Sequence, residues 1–115
     1  MTDRMDRVTE AIKREVAVIL QEDVNDPKIR HVTITRVEVT RDLRLAKVFY
    51  VVSIEEKNRE AVTEALKHAG SFVRGELGRR LPMKFTPKVS FREDRDYQRK
   101  EAMENIFMKI EKEFD

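Results

Sequence analysis

The sequence predicts an α+β fold in the order helix, strand, strand, helix, helix, strand, followed by one extra helix. Three observations carry this. Apolar residues recur at helical spacing in three stretches, two β-branched stretches are separated by only four residues, and a short β-rich run follows the proline that stops the longest helical stretch. At 115 residues the chain is long enough for one core without staples.

The first helix is predicted over residues 5–22, where Val8, Ile12, Val16, Ile19 and Leu20 form one stripe. Asn25, Asp26 and Pro27 end it, because a residue before proline disfavours the helical region. The strand over residues 31–40 slips in its alternation. Val32 and Ile34 share one phase and Val37 and Val39 the other, which predicts a bulge near Thr35 and Arg36. The strand over residues 45–54 is apolar apart from Lys47 and Ser53 and is expected in the centre of the sheet. Arg41 to Arg44 between them is short enough for an antiparallel hairpin.

Ser53 and Glu56 have the spacing of a capping box, and a helical pattern follows through Val62, Ala65, Leu66, Ala69, Phe72, Val73 and Leu77 to Leu81-Pro82. Three glycines interrupt its second half, each costing about 1 kcal/mol relative to alanine. A break is therefore expected at Ala69-Gly70-Ser71, with Ser71 capping the second of two helices. Gly75-Glu76-Leu77-Gly78 has the GxxG spacing of a phosphate-clamping loop, but three residues before Pro82 leave no room for a helix behind it. Residues 86–91 read as a third strand. Residues 97–114 read as an amphipathic helix with Met103, Ile106, Phe107, Ile110 and Phe114 on one stripe. Packing of this stripe over Phe49 and Val51 is the expectation, since an exposed stripe invites association. Residues 1–96 are expected to form the main domain, and 97–115 a helix that is part of it or an appended arm.

Charge distribution bears on function. Residues 67–92 hold seven Lys/Arg against one acid, a charge of +6 in a chain whose total is +2, so the remainder carries −4. A basic segment in an otherwise acidic chain is the footprint of a polyanion-binding surface. Arg74, Arg79, Arg80, Lys84 and Lys88 are the expected phosphate contacts, with Lys67 and His68 at the approach to the break. Ala69, Gly70 and Ser71 would bring backbone amides close to a phosphate at a helix start. The alternative for each cation is a solvated face or an ion pair. Phe85 and Tyr97 are placed to stack on bases, whereas Phe49, Phe72 and Phe91 are assigned to the core.

Other classes find little footing. The chain has no phosphate loop of the Gly-x-x-x-x-Gly-Lys type, no Gly-x-Ser-x-Gly elbow and no His-Glu-x-x-His, so no catalytic residue is assigned. Without cysteine, and with His31 and His68 far apart, no metal site or cofactor is expected. Asp23, Asp26, Asp94 and Asp96 suit turns and caps better than a cation. The longest apolar run, residues 48–52, cannot span a bilayer, and the alternating charges of the N-terminus differ from a signal peptide. A soluble, cytoplasmic protein without membrane or small-molecule partners is expected, probing RNA as a monomer.

Several short runs together resemble the bacterial ribosome-binding factor A family over about residues 4–94. They are Asp26-Pro27-Lys28, Val32 through Val39, Asp42-Leu43, Ala46-Lys47-Val48, Ala69 through Arg74, Leu81, Pro87, Phe91 and Asp94. Ser71 stands where the family's kink usually carries glycine, and Lys88 where it usually carries glutamate. The resemblance implies a type II KH-like αββααβ fold lacking GxxG, with a kinked helix pair on a three-stranded sheet. It also implies a non-enzymatic factor that binds the small (30S) ribosomal subunit and assists 16S rRNA maturation. The rival is a protein-protein adaptor or dimerising module built on the C-terminal helix.

Overall fold

The computed structural model describes residues 4–53 and 58–114. Helix α1, Arg4–Val18, buries Ile12 and Val16 and then widens into a π-helical turn, Ile19–Asp23, closed by Val24 N–H donating to the Ile19 carbonyl at 3.1 Å. Consecutive Ile19 and Leu20 are both buried there. Asp26 caps the following 3-10 turn, Pro27–His31, by accepting from Lys28 N–H at 3.0 Å, and Pro27 supplies the fixed φ its first position favours. Ile29 anchors that turn in the core.

The sheet order is β1-β2-β3, with β1 Val32–Val39, β2 Leu45–Val52 and β3 Lys88–Glu93. β1 pairs antiparallel to β2, and the register shifts between Ile34 and Arg36, so the expected bulge is present with Thr35 as its extra residue. β2 is central, as expected, and β3 runs parallel to it. Ala46, Val48, Tyr50 and Val52 point to the core while Lys47, Phe49 and Val51 point to the open face. In the hairpin, Asp42 accepts from the Thr40 hydroxyl at 2.7 Å and from Arg44 N–H at 3.1 Å, supporting Leu43 at a left-handed φ of 61°.

Helix α2, Arg59–Arg80, corrects the expectation of a kinked pair. It is one uninterrupted helix of 22 residues through all three glycines. Its buried positions, Val62, Ala65, Leu66, Ala69, Val73 and Leu77, keep three- and four-residue spacing across the expected break, so burial of one continuous stripe outweighs the local glycine cost. Ser71 caps nothing, and no second helix start presents amides at Gly70 and Ser71. Asn58 caps α2 instead, its Oδ1 accepting from Ala61 N–H at 3.1 Å. The expected capping box involves Glu56, which lies outside the described residues.

The core lies between one face of the sheet and the layer made by α1, α2 and the two turns. Helix α3, Arg95–Phe114, does not belong to that layer, which corrects the expectation that its stripe packs over Phe49 and Val51. Every residue from Arg99 to Glu113 is exposed, and Met103, Ile106, Phe107 and Ile110 are 43–59% accessible. The Cα radius of gyration is 16.3 Å, against about 13 Å for a compact domain of this length. Phe49 is covered by the Arg36 guanidinium, 3.6 Å from its ring centroid.

The base of this arm is held firmly. Asp94 is buried and accepts from the bulge residue Thr35 (Oγ1, 2.6 Å), from Arg36 Nε (3.2 Å) and from Tyr97 N–H (3.1 Å). Burial alone would raise its carboxyl pKa. The hydrogen bonds from Thr35 and Tyr97 and the Arg36 charge outweigh it and hold the group below the usual carboxylate range. The bulge in β1 thereby sets where α3 leaves the sheet.

Candidate nucleic-acid interface

Two flanks of α2 carry the basic residues. Lys67, Gly70, Arg74 and Gly78 recur every three or four positions and share the flank that faces β3 and the segment before it. Contacts on three of them confirm that orientation. A side chain at Gly70 would meet the Val89 carbonyl at 3.7 Å, Arg74 donates to the Thr86 carbonyl through Nε (3.2 Å) and Nη2 (3.0 Å), and Gly78 lies so close to Thr86 that a Cβ would stand 2.8 Å from its hydroxyl. Gly78 is therefore a close-approach glycine. Gly75 has open space around it, and nothing in the structure explains its choice.

Between α2 and β3 runs a groove of about 220 Å³, with Lys67 on the helix side, Lys88 on the strand side and Gly70 between them. Thr63 and Tyr50, joined by a 3.3 Å hydrogen bond between their hydroxyls, form part of its lining. Lys67 is largely exposed and 3.7 Å from Glu64. Lys88 and Lys84 pair with no carboxylate among the described residues, and Lys84 Nζ lies 5.8 Å from the ring centroid of the exposed Phe85. The shape admits an extended backbone, and its polar rim is cationic.

The other flank is different. Arg80 is only 27% exposed and is held by Glu15 (3.4 Å), Asp23 and Glu76 (3.6 Å). Arg79 pairs with Glu76 at 3.0 Å. Glu76 bridges two arginines, and the cluster fastens the C-terminal end of α2 to α1 and the π turn. Arg79 and Arg80 thus sit in the ion-paired arrangement weighed against phosphate contact. His68 is exposed on this side, 4.0 Å from Glu64, and borders a second groove with Phe72, Asp23 and Asp26.

The structure therefore brings together Lys67, Gly70 and Lys88, with Arg74 further along the same flank of α2, and separates them from His68, Arg79 and Arg80; Lys84 stands beside Phe85 in the segment before β3. Ala69 is buried in the core and offers no surface, while Ser71 is exposed within the helix. Phe72, expected in the core, is 46% exposed because it follows the outer side of α2. Phe91 does pack against the core, whereas Tyr97 is half-exposed at the base of α3.

Lys47, a lone lysine in an apolar strand that the sequence reading did not single out, is set by the register beside Ser90 on the open face of the sheet and does not line this groove. Among the described residues no group of three or more His, Asp or Glu side chains could hold a metal ion, and no helix is long and apolar enough to cross a membrane.

Comparison with known proteins now adds a relationship. The sequence model of the family described as "Ribosome-binding factor A" matches residues 4–107. A ribosome-binding factor A of Desulforamulus reducens is 43% identical over 94 residues, covering 82% of this chain and 78% of the relative. That of Acetivibrio thermocellus is 40% identical over 98 residues, covering 84% and 80%. Among solved structures, a Thermotoga maritima protein described as a putative ribosome binding factor A superposes with a TM-score of 0.69 at 26% identity, covering 83% of this chain and 92% of that one. A homology model of the Thermus thermophilus ribosome binding factor A, fitted into a cryo-EM map of its 30S complex, has a TM-score of 0.64 at 25% identity over 77% of this chain and 93% of that one. The KH-like α+β fold is shared with these structures. The chain belongs to the ribosome-binding factor A family.

Proposed function

We propose that this protein is a non-enzymatic, cytoplasmic RNA-binding factor that docks on the small ribosomal subunit during assembly and assists 16S rRNA maturation. The observation that carries the RNA-binding part is the α2/β3 groove, where Lys67 and Lys88 flank Gly70 without a neutralising cluster. Family membership, and the relative placed in a 30S complex, support the ribosome as the source of that RNA.

In this reading the RNA backbone runs along the groove. Lys67, Lys84 and Lys88 act as point charges on phosphates, and the free N–H groups of Arg74 add a further contact while its other donors hold the Thr86 carbonyl. The absence of a side chain on Gly70 keeps the floor low. Ser71 and His68 border the approach, and Arg79 contributes only long-range charge. Selection is by shape and backbone, since few groups in the groove can read base edges. Residues 1–96 form the RNA-binding unit, with α3 as an appended arm.

Fractionation of cell lysate tests the ribosomal part. The protein is expected to travel with free small subunits and to be absent from mature ribosomes. Recovery with neither, or equally with both, would overturn an assembly role.

A further inference from the structure

A cleft of about 650 Å³, larger than the α2/β3 groove, lies between the ends of β1 and β2, the start of α2 and the root of α3. We infer that it takes one unpaired, amino-bearing nucleobase, adenine or cytosine, from a single-stranded segment of the RNA. The inference rests on the RNA-binding reading and adds to it a second contact, outside the groove, that reads a base.

The lining argues for a base. Its volume falls within the range of about 300–1,000 Å³ usual for small-ligand sites. Val51, Ala102 and the ring of Tyr97 supply apolar surface, while Gln98, Glu101 and Asn105, at three- and four-residue spacing, bring polar groups from one side of α3. The decisive atom is Gln98 Nε2, which is buried and donates to nothing. Leaving a buried amide donor unsatisfied is costly, so the site asks for a ligand that carries an acceptor. Glu101, one turn further along, offers the reverse, a carboxylate that accepts. An exocyclic amino group beside a ring acceptor, as on adenine and cytosine, answers both, whereas uracil sets a carbonyl oxygen in the amino position. Tyr97 is 45% exposed, which leaves ring surface for stacking.

The site is ordered before any RNA arrives. Asp94 Oδ1 accepts from Tyr97 N–H at 3.1 Å, and the Asp94 carbonyl accepts from Gln98 N–H at 3.2 Å, so the cap that roots α3 also places both residues. Charge favours a polyanion over a neutral ligand at this place. Arg59 stands on the wall of the cleft, and Lys47 and Arg92 lie along the open sheet face that leads to Val51. None of these three cations pairs with a carboxylate among the described residues, and Glu38, opposite Lys47, is engaged by Arg36. They draw a strand toward the cleft through the field they set up.

NMR titration of the isotope-labelled full-length protein with oligo(A), oligo(C) and oligo(U) tetranucleotides tests this, with a 16S rRNA fragment titrated alongside. The side-chain amide signal of Gln98 should move with oligo(A) and oligo(C), which should bind about fivefold tighter than oligo(U). Gln98→Ala should remove that preference. Tyr97→Ala should weaken tetranucleotide binding about tenfold and Tyr97→Phe should retain it, with melting temperatures unchanged because both residues lie outside the core. If the rRNA fragment binds but the tetranucleotides leave Gln98 and Tyr97 unmoved, or move only Lys67, Gly70 and Lys88, the cleft is no base site and the RNA-binding reading stands. If neither RNA binds, both fall. Equal affinity for the three tetranucleotides, or an unaltered preference in Gln98→Ala, overturns the base reading.

Discussion

On the flank of α2 that faces β3, Lys67 and Lys88 stand on the two sides of a groove with Gly70 between them, and the one acid paired there is Glu64 on Lys67. On the flank that faces α1, Arg80 is surrounded by Glu15, Asp23 and Glu76, and Arg79 leans on the same Glu76. Both flanks contribute cations to the +6 counted along residues 67–92. Only the first leaves its charge available. The difference teaches that a run of cations measures what a segment can offer, while the partners supplied by distant segments decide what it does offer.

The comparison breaks most readily by substitution on both flanks. Lys67→Ala/Lys88→Ala removes two phosphate contacts and should weaken RNA binding on the order of 50-fold at about 0.1 M salt, with the melting temperature unchanged. Arg80→Met should do the reverse: RNA affinity holds while the melting temperature falls, because three carboxylates lose their shared cation. Titration against a 16S rRNA fragment, with thermal denaturation alongside, reads both. If Arg80→Met costs as much affinity as the lysine pair, the distinction between flanks is wrong.

A smaller effect separates two glycines on the same helix. Gly75→Ala has open space around it and should stabilise the protein by about 1 kcal/mol through helix propensity. Gly78→Ala gains the same propensity but must displace the Thr86 hydroxyl, so its net gain should be close to zero. Chemical denaturation of the two variants compares them directly.

The smallest expected effect is on pH dependence at the root of α3. Asp94 is held below the usual carboxylate range in the folded protein, so its contribution to stability is present above its unfolded pKa of about 3.9. That contribution is lost as pH falls through the lower folded value. Asp94→Asn should flatten the acid limb of the stability curve below about pH 4, measured by denaturant midpoints across the acid range.

Much of the frame was legible along the chain. The slip of alternation at Thr35 and Arg36 exposed the bulge, four residues between β-branched runs gave the hairpin, and the apolar run of β2 placed it centrally. These are local signals with a fixed period. The helix break was misread because glycine cost was weighed residue by residue, while the uninterrupted stripe through Leu66, Ala69, Val73 and Leu77 already favoured one helix. The α3 stripe identified a helix with an apolar face, but periodicity does not say whether anything covers that face. The pairing of Arg80 with Glu76, four residues back on α2, was open to reading, but its partners Glu15 and Asp23 were not, because they lie 65 and 57 residues away along the chain.

The account rests on a few exposed cations at and near the α2/β3 groove gripping RNA phosphates, and the salt dependence of RNA affinity measures them most directly. Four contacts, from Lys67, Arg74, Lys84 and Lys88, predict a slope of log K against log salt of about −3 to −4, and a loss of roughly 50- to 150-fold between about 50 and 200 mM. In the Lys67→Ala/Lys88→Ala variant the slope should shrink by about 2. A flat response in the wild-type chain, or an unchanged slope in the variant, would contradict the assignment of this groove as the RNA contact.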